Sequence, residues 1–433
     1  MTHMHASTHY PTPARCRLAC TLLAVYALTG CAPSPVVETR TAAPSIASTP
    51  APATESHTDE YQQQKFTQWV ADFSSFARKA GIEDATLAIA FDGVRLLPSV
   101  IASDTAQPEF NRAVWDYLDG ALSAQRIANG QDKLQQWRTT IDPIAARWGV
   151  AAEILVAIWG VESSYGRFMG DVPSVDALAT LGFEGRRAEW ARGQLLAALK
   201  ILQSRDIDRA RMVGSWAGAM GQTQFLPSTF LDYAVDADGD GRRDIWGSVP
   251  DVLASTANYL ARSGWQAGQP WGLEVRLPPG FDYALADADV RLPTDHWSAA
   301  GVQAMDGTAL PALADASVLL PAGAHGPAFL VGPNFRTILR YNNSTSYALA
   351  VGLLAQRLAG GQPVQAPWPR DQQPLSRLQV RALQTALNAH GFDCGAPDGM
   401  LGPATQRSVR AYQRSLELPA DGYATLDLLL RLQ

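Results

Sequence analysis

The chain has 433 residues, 47% of them hydrophobic and 18% charged, with a formal net charge of −6. That apolar content excludes a disordered chain and supplies a sizeable core, enough for one large or two-part domain plus a small module. The mild acidity and the lack of a basic stripe exclude nucleic acid as an expected partner.

Arg15 and Arg17 precede an apolar run from Leu18 to Leu28. The run is short for a bilayer span and fits a signal-peptide core, so residues 1–30 are predicted to be a signal. It ends in Leu28-Thr29-Gly30-Cys31, which resembles a bacterial lipobox. The resemblance implies lipidation at Cys31. Because Ala32 follows, it also implies retention at the periplasmic face of the outer membrane. An ordinary secretory signal with an incidental Cys is the alternative. With Cys16 and Cys20 removed and Cys31 lipidated, Cys394 is left alone, so the mature chain forms no internal disulfide. No other segment is long and apolar enough to span a membrane. Residues 31–60 are rich in Pro, Ala, Ser and Thr and are expected to be a flexible tether.

Helical periodicity begins near Tyr61. It predicts helices over 66–80, 111–129, 134–148, 151–161, 189–203 and 250–263. In the fourth, Ile154, Leu155, Ile158 and Trp159 form an apolar face that Glu162 continues, before Ser163-Ser164-Tyr165-Gly166. A carboxyl there is expected to be partly buried, and burial raises its pKa toward what a general acid needs. The residues alone also allow a salt-bridged or solvent-facing Glu at a frayed helix end.

Further on, Asp236-Ala237-Asp238-Gly239-Asp240-Gly241-Arg242-Arg243-Asp244 places side-chain oxygens at loop positions 1, 3, 5 and 9, Gly at 6 and the Arg242 carbonyl at 7. Such a loop is expected to hold a calcium ion, as a structural site. Gly247 stands at position 12 in place of the usual Glu, and Asp251 is the candidate to supply the missing carboxylate. Residues of about 271–340 read as β-rich, with strands at 273–277 and 328–331. A helix at 346–358 closes a body spanning 61–362. A Pro/Gln/Gly-rich linker (363–374) leads to a tail at 375–433. Three helical stripes are expected there: Leu378, Leu383 and Leu387; Val409, Tyr412 and Leu416; Leu426, Leu429 and Leu430.

Taken together, the body resembles the lytic murein transglycosylase B family. The motifs run in order: Gly160-Val161-Glu162-Ser163-Ser164-Tyr165-Gly166; Arg186-Arg187-Ala188-Glu189; Ser215 to Ser228, containing Gly218-Ala219-Met220-Gly221-Gln222-Thr223-Gln224-Phe225; the Asp-rich loop; Ala257-Asn258-Tyr259; and Arg340-Tyr341-Asn342-Asn343-Ser344-Thr345-Ser346-Tyr347. The resemblance implies a mainly α (α+β) fold, with a lysozyme-like helical catalytic domain and a small β-rich insertion. It implies that Glu162 is the catalytic acid and base. It also implies that Ser215, Gln224, Tyr259, Tyr341, Asn342, Tyr347 and, more weakly, Tyr117 bind substrate. Asp236, Asp238, Asp240, Arg242, Asp244 and Asp251 match the family's calcium loop. The chain departs from the family pattern at Gln222-Thr223, where an aromatic and a Gly are common.

In the tail, Gly391-Phe392-Asp393, Pro397-Asp398-Gly399-Met400-Leu401-Gly402-Pro403 and Ala411-Tyr412-Gln413 resemble a three-helix peptidoglycan-binding module. The implied substrate is the β-1,4 bond between N-acetylmuramic acid and N-acetylglucosamine in peptidoglycan glycan strands. The implied product is a 1,6-anhydro end, with no organic cofactor. Partners in the cell-wall synthesis or hydrolysis machinery are compatible with this reading. A hydrolytic muramidase, or a non-catalytic peptidoglycan-binding lipoprotein, are the alternatives; product ends and sacculus release distinguish the three.

Overall fold

The computed structural model describes residues 54–106, 112–287 and 289–433. The predicted signal peptide, the lipidation site Cys31 and most of the predicted tether lie outside the described residues. The compact unit Glu55–Gln433 holds everything discussed below.

The first helices are α1 (Thr54–Lys79), α2 (Asp84–Phe91), α3 (Pro98–Ala106), α4 (Val114–Ala121), α5 (Ala124–Gln136) and α6 (Arg138–Trp148). The helix expected over 111–129 is two helices, because Ser123 caps α5 by accepting the Arg126 N–H and so ends the preceding turn. Helix α6 stops at Gly149, whose φ of +66° is left-handed, and the chain bends into α7 (Ala152–Ser163). Every residue of α7 from Ile154 to Gly160 is buried, the mark of a helix at the centre of a core.

A two-stranded sheet pairs β1 (Val172–Pro173) with β2 (Val213–Gly214). Between and after these strands come α8 (Ser174–Glu184), α9 (Ala188–Gln203), α10 (Pro227–Tyr233) and α11 (Val249–Arg262). The insertion is a four-stranded antiparallel sheet in the order β4–β3–β6–β5, with β3 (Gly272–Arg276), β4 (Gln303–Ala304), β5 (Ser317–Leu319) and β6 (Ala328–Val331). Helix α12 (Thr294–Ala299) packs Trp297 into the insertion's own core. Helices α13 (Pro333–Tyr341) and α14 (Thr345–Leu358) return to the main core, where α14 packs on α7. Among the described residues no single helix is long and apolar enough to cross a membrane.

The tail forms α15 (Arg377–Ala389), α16 (Pro403–Ser415) and α17 (Leu426–Arg431) around a separate core. All three of its expected stripes need correction: in the second, Val409 and Tyr412 are buried, but Leu416 lies just past the end of α16 and is exposed. The buried face of α15 is Val380, Leu383, Gln384 and Leu387, while Leu378, two residues before that face starts, is 78% exposed. In α17 the core takes Leu428, Leu429 and Leu432, leaving Leu426 and Leu430, four apart on the far side, exposed. Two Asp-Gly turns are each held by a helix glutamine. The Gln384 amide oxygen accepts the Gly399 N–H at 2.8 Å, and that of Gln413 accepts the Gly422 N–H at 2.8 Å. Cys394 is a buried free thiol, and burial raises its pKa.

Residues 363–374 do not hang free. Glu274 accepts the N–H groups of Gln365 and Ala366 at 2.8 Å each, and Arg370 pairs with both carboxylate oxygens of Asp119 at 2.7 and 2.8 Å. The module then meets the insertion through Arg410 on Asp287 at 2.7 Å and through the Ala324 N–H on Asp421 at 2.7 Å.

A buried bridge holds the end of α7. Trp159 Nε1 donates to Gln222 Oε1 at 2.7 Å, and Gln222 Nε2 donates to the Trp246 carbonyl at 2.8 Å. Replacing Gln222 by Leu strands both partners in the core. We expect that variant to lose about 2–4 kcal/mol of stability in denaturant unfolding, with a native-like circular dichroism spectrum.

Candidate active site

Glu162 is the penultimate residue of α7. Beyond it the chain turns through left-handed backbone at Ser164 (φ 49°), Tyr165 (φ 62°) and Gly166 (φ 83°). Two of these are not glycine, and such strain persists only where surroundings impose it. The Tyr165 hydroxyl donates to the Arg126 carbonyl at 2.8 Å, and Ser163 Oγ accepts the Gly166 N–H at 3.0 Å. Gly160 and Gly166 are required by close approach: a Cβ at Gly160 would lie 2.6 Å from the Tyr165 ring, and one at Gly166 2.3 Å from Gln222 Oε1. The turn, the glycines and the glutamine bridge form one unit that fixes where Glu162 points.

The Glu162 carboxyl lies among aromatic groups. Tyr347, in the first turn of α14 and 2% exposed, donates its hydroxyl to Glu162 Oε1 at 2.6 Å. Tyr341 stacks on Tyr347 with ring centroids 6.4 Å apart, and its hydroxyl donates to the Thr223 carbonyl at 2.7 Å. Burial raises the pKa values of Tyr117 and Tyr341, and the Glu162 charge adds to the shift. Loss of hydration pushes the Glu162 pKa up to about 7, against the opposing effect of the Tyr347 hydrogen bond. Among the described residues no second carboxylate contributes to that shift. The site therefore offers one carboxyl that is exchangeable between its acid and base forms near neutral pH.

The other sequence-predicted residues surround this centre at different removes. Tyr259 packs on Tyr341 at 4.8 Å and on Phe225 at 5.7 Å, and its hydroxyl donates to the Arg340 carbonyl at 2.6 Å. Gln224, itself left-handed at φ 52°, donates to the carbonyls of Met169 and Gly221 at 2.9 Å each, tying the loop after α7 to the loop before α10. Ser215, half-buried after β2, accepts the Ala219 N–H at 3.1 Å and so shapes that second loop. Asn342 is exposed at the end of α13. Of the Arg186-Arg187 pair, Arg186 is bound to the buried Asp104, and Arg187 lies over the Trp190 ring at 4.5 Å. Sequence reasoning missed Gln222, Trp159 and Arg126 as supports of the centre. The departure at Gln222 was the available signal, but a polar residue's buried partner is invisible in one chain.

In the acidic loop, the structure brings carboxylate oxygens of Asp236, Asp238 and Asp251 within 4.8 Å of one another. Asp251 is fully buried and organises the loop by accepting the N–H groups of Ala237 at 2.7 Å and Asp244 at 2.8 Å. Asp240 accepts the Arg242 N–H at 2.8 Å. Asp244 accepts from Trp246 at 2.9 Å and Gly247 at 2.8 Å and faces Arg211 at 3.3 Å. An all-oxygen donor set of this kind fits a hard divalent cation.

Comparison with known proteins agrees with this geometry. The family model for the transglycosylase SLT domain matches residues 65–356, and that for a peptidoglycan binding domain matches residues 376–432. Membrane-bound lytic murein transglycosylase B of Escherichia coli (strain K12) is 34% identical over 306 residues, covering 68% of this chain and 82% of that protein. The crystal structure of SltB3 from Pseudomonas aeruginosa in complex with NAG-NAM-pentapeptide is similar with a TM-score of 0.83 and 54% identity, covering 85% of this chain and 99% of that one. Escherichia coli Slt35 in complex with calcium is similar with a TM-score of 0.57 and 32% identity, covering 69% of this chain and 93% of that one. One half-buried carboxyl, a tyrosine shell and a C-terminal three-helix module thus coincide with matched family models over both parts: the chain belongs to the SLT-domain lytic transglycosylases and carries a peptidoglycan-binding domain.

Proposed function

We propose that Glu162 performs both proton transfers in a non-hydrolytic cleavage of the N-acetylmuramic acid–β-1,4–N-acetylglucosamine bond of peptide-bearing peptidoglycan strands. The observation that carries this reading is the lone carboxyl held near neutrality against Tyr347. Glycosidases that use water pair two carboxylates; here one must serve twice. Protonated Glu162 donates to the bridging oxygen as the C1–O bond breaks. The substrate's own N-acetyl group, with the groove's dipoles, supports the cationic C1. Ionised Glu162 then takes the proton of the muramic C6 hydroxyl as that oxygen closes on C1. Glu162 ends protonated, no water is consumed, and the sugar leaves as the 1,6-anhydro form. Held close, the hydroxyl replaces a second nucleophile.

Tyr347 tunes the acid, Tyr341, Tyr259 and Tyr117 line the cleft, and Ser215, Gln224 and Asn342 contact or shape the path of the strand. The C-terminal module raises the local concentration of wall. We assign residues 1–30 to a signal, with lipid at Cys31 anchoring the enzyme to the outer membrane, in keeping with a relative that is membrane-bound. Asp236, Asp238 and Asp251 are proposed to hold a structural calcium ion; a similar structure is a complex with calcium. The ion would neutralise the loop's clustered charge and brace the N-terminus of α11.

Digestion of purified sacculi tests the reaction. Released muropeptides should be one water lighter than hydrolysis products; reducing ends would instead make the enzyme a muramidase. Glu162→Gln should fold and lose about 10²–10⁴-fold in kcat. Only the protonated free enzyme starts the reaction, so kcat/KM should be flat below pH 7 and fall as pH rises through about 7. In Tyr347→Phe the hydrogen bond that lowers the Glu162 pKa is gone, so the falling limb should move to higher pH. Calcium should raise the melting temperature of the wild type, and Asp238→Ala should abolish the rise.

A further inference from the structure

A cavity of about 780 Å³ lies beside α13, between that helix and the β5–β6 edge of the insertion sheet. Arg291, Arg336 and Arg340 line it, against the single carboxylate of Asp315. That is a concentration of positive charge on a chain of net charge −6. Arg336 is half-buried and donates to the Asp315 carbonyl at 2.9 Å as well as to its carboxylate. Burial lowers its pKa while Asp315 opposes the loss. Arg340 spends one of its five donors on the Ser263 carbonyl at 2.7 Å.

Guanidinium forks match carboxylates in geometry and charge. A peptide bearing carboxylates suits this lining, its acid groups on the arginines. The cavity is also coupled to the reacting centre. Arg340 precedes Tyr341, the Arg340 carbonyl accepts the Tyr259 hydroxyl, and Asn343 and Thr345 on its rim lead into the helix that carries Tyr347.

We propose that this cavity binds a carboxylate-bearing peptide, namely the acidic stem of the glycan strand under cleavage. The identity of the occupant rests on the reaction proposed above. The stem would anchor the strand while the sugar backbone lies in the cleft, so the site acts on KM more than on kcat.

The test uses the full mature chain, with Arg291→Glu as an exposed charge reversal and Arg336→Lys as a variant that keeps charge and loses the fork. Calorimetry compares NAG–anhydroNAM–pentapeptide, the same peptide with its carboxylates amidated, and inorganic phosphate. Kinetics compare peptide-bearing and peptide-free strands. Both variants should weaken pentapeptide binding, Arg291→Glu by about tenfold. KM for peptide-bearing strands should rise in parallel, and amidated peptide and peptide-free strands should be unaffected. Equal losses on peptide-free strands, or no loss on either, would overturn the proposal. So would phosphate that binds as tightly as the peptide and is the only ligand the variants lose. If the wild type cleaves neither strand, the proposed reaction fails, and calorimetry alone still decides the cavity.

Discussion

Everything in this molecule turns on shielding one half-buried carboxyl from most of its water without giving it a cation. A Glu stripped of hydration holds its proton to a higher pH, and an arginine nearby would undo that. The protein meets the condition by placing Glu162 one residue before the end of the buried helix α7 and closing the space with tyrosines. Their rings remove water while a single hydroxyl, that of Tyr347, remains to orient the acid. Arg126, whose charge bears on Tyr117 and Tyr165, is occupied with Ser164 and the Gly120 carbonyl instead.

Such a carboxyl needs rigid support, and the support is drawn from distant parts of the chain. α14 brings Tyr347, α13 brings Tyr341, and α11 brings Tyr259. The loop between β2 and α10 supplies Gln222 beneath the turn and Gln224 beside it. Left-handed backbone at Ser164, Tyr165 and Gln224 is the local cost of bringing these pieces together, and the burial of Trp159, Phe225 and Tyr165 offsets it. The linker is joined to the helical body by Arg370 on Asp119, and the C-terminal module to the β insertion by Arg410 on Asp287, so the peptidoglycan-binding domain is held by contacts as well as by the chain.

Much of this was legible in the sequence. The apolar periodicity of 151–161 located α7, the strand at 328–331 agrees residue for residue, and the ordered motifs led to the family. What escaped did so for physical reasons. Helix α8 buries nearly all of its face residues, so it lacks the amphipathic stripe that periodicity detects. The break at Ser123 is a capping event inside a good helical pattern. Leu378, Leu416, Leu426 and Leu430 are apolar yet exposed, and one chain cannot say which leucines of a helix meet a partner. Gln222 read as a departure from the family, whereas its two buried partners, Trp159 and Trp246, come from 63 and 24 residues away.

The claim on which the account rests is that the fold, and not the substrate, sets the acidity of Glu162. The direct measurement is the carboxyl pKa in the substrate-free protein, read as the infrared or carbon-13 difference between wild type and Glu162→Gln across pH. A single titration near 7 is the predicted result. A titration between about 4 and 5, as for an ordinary hydrated Glu, would contradict it and return Glu162 to the role of a solvated residue at a helix end.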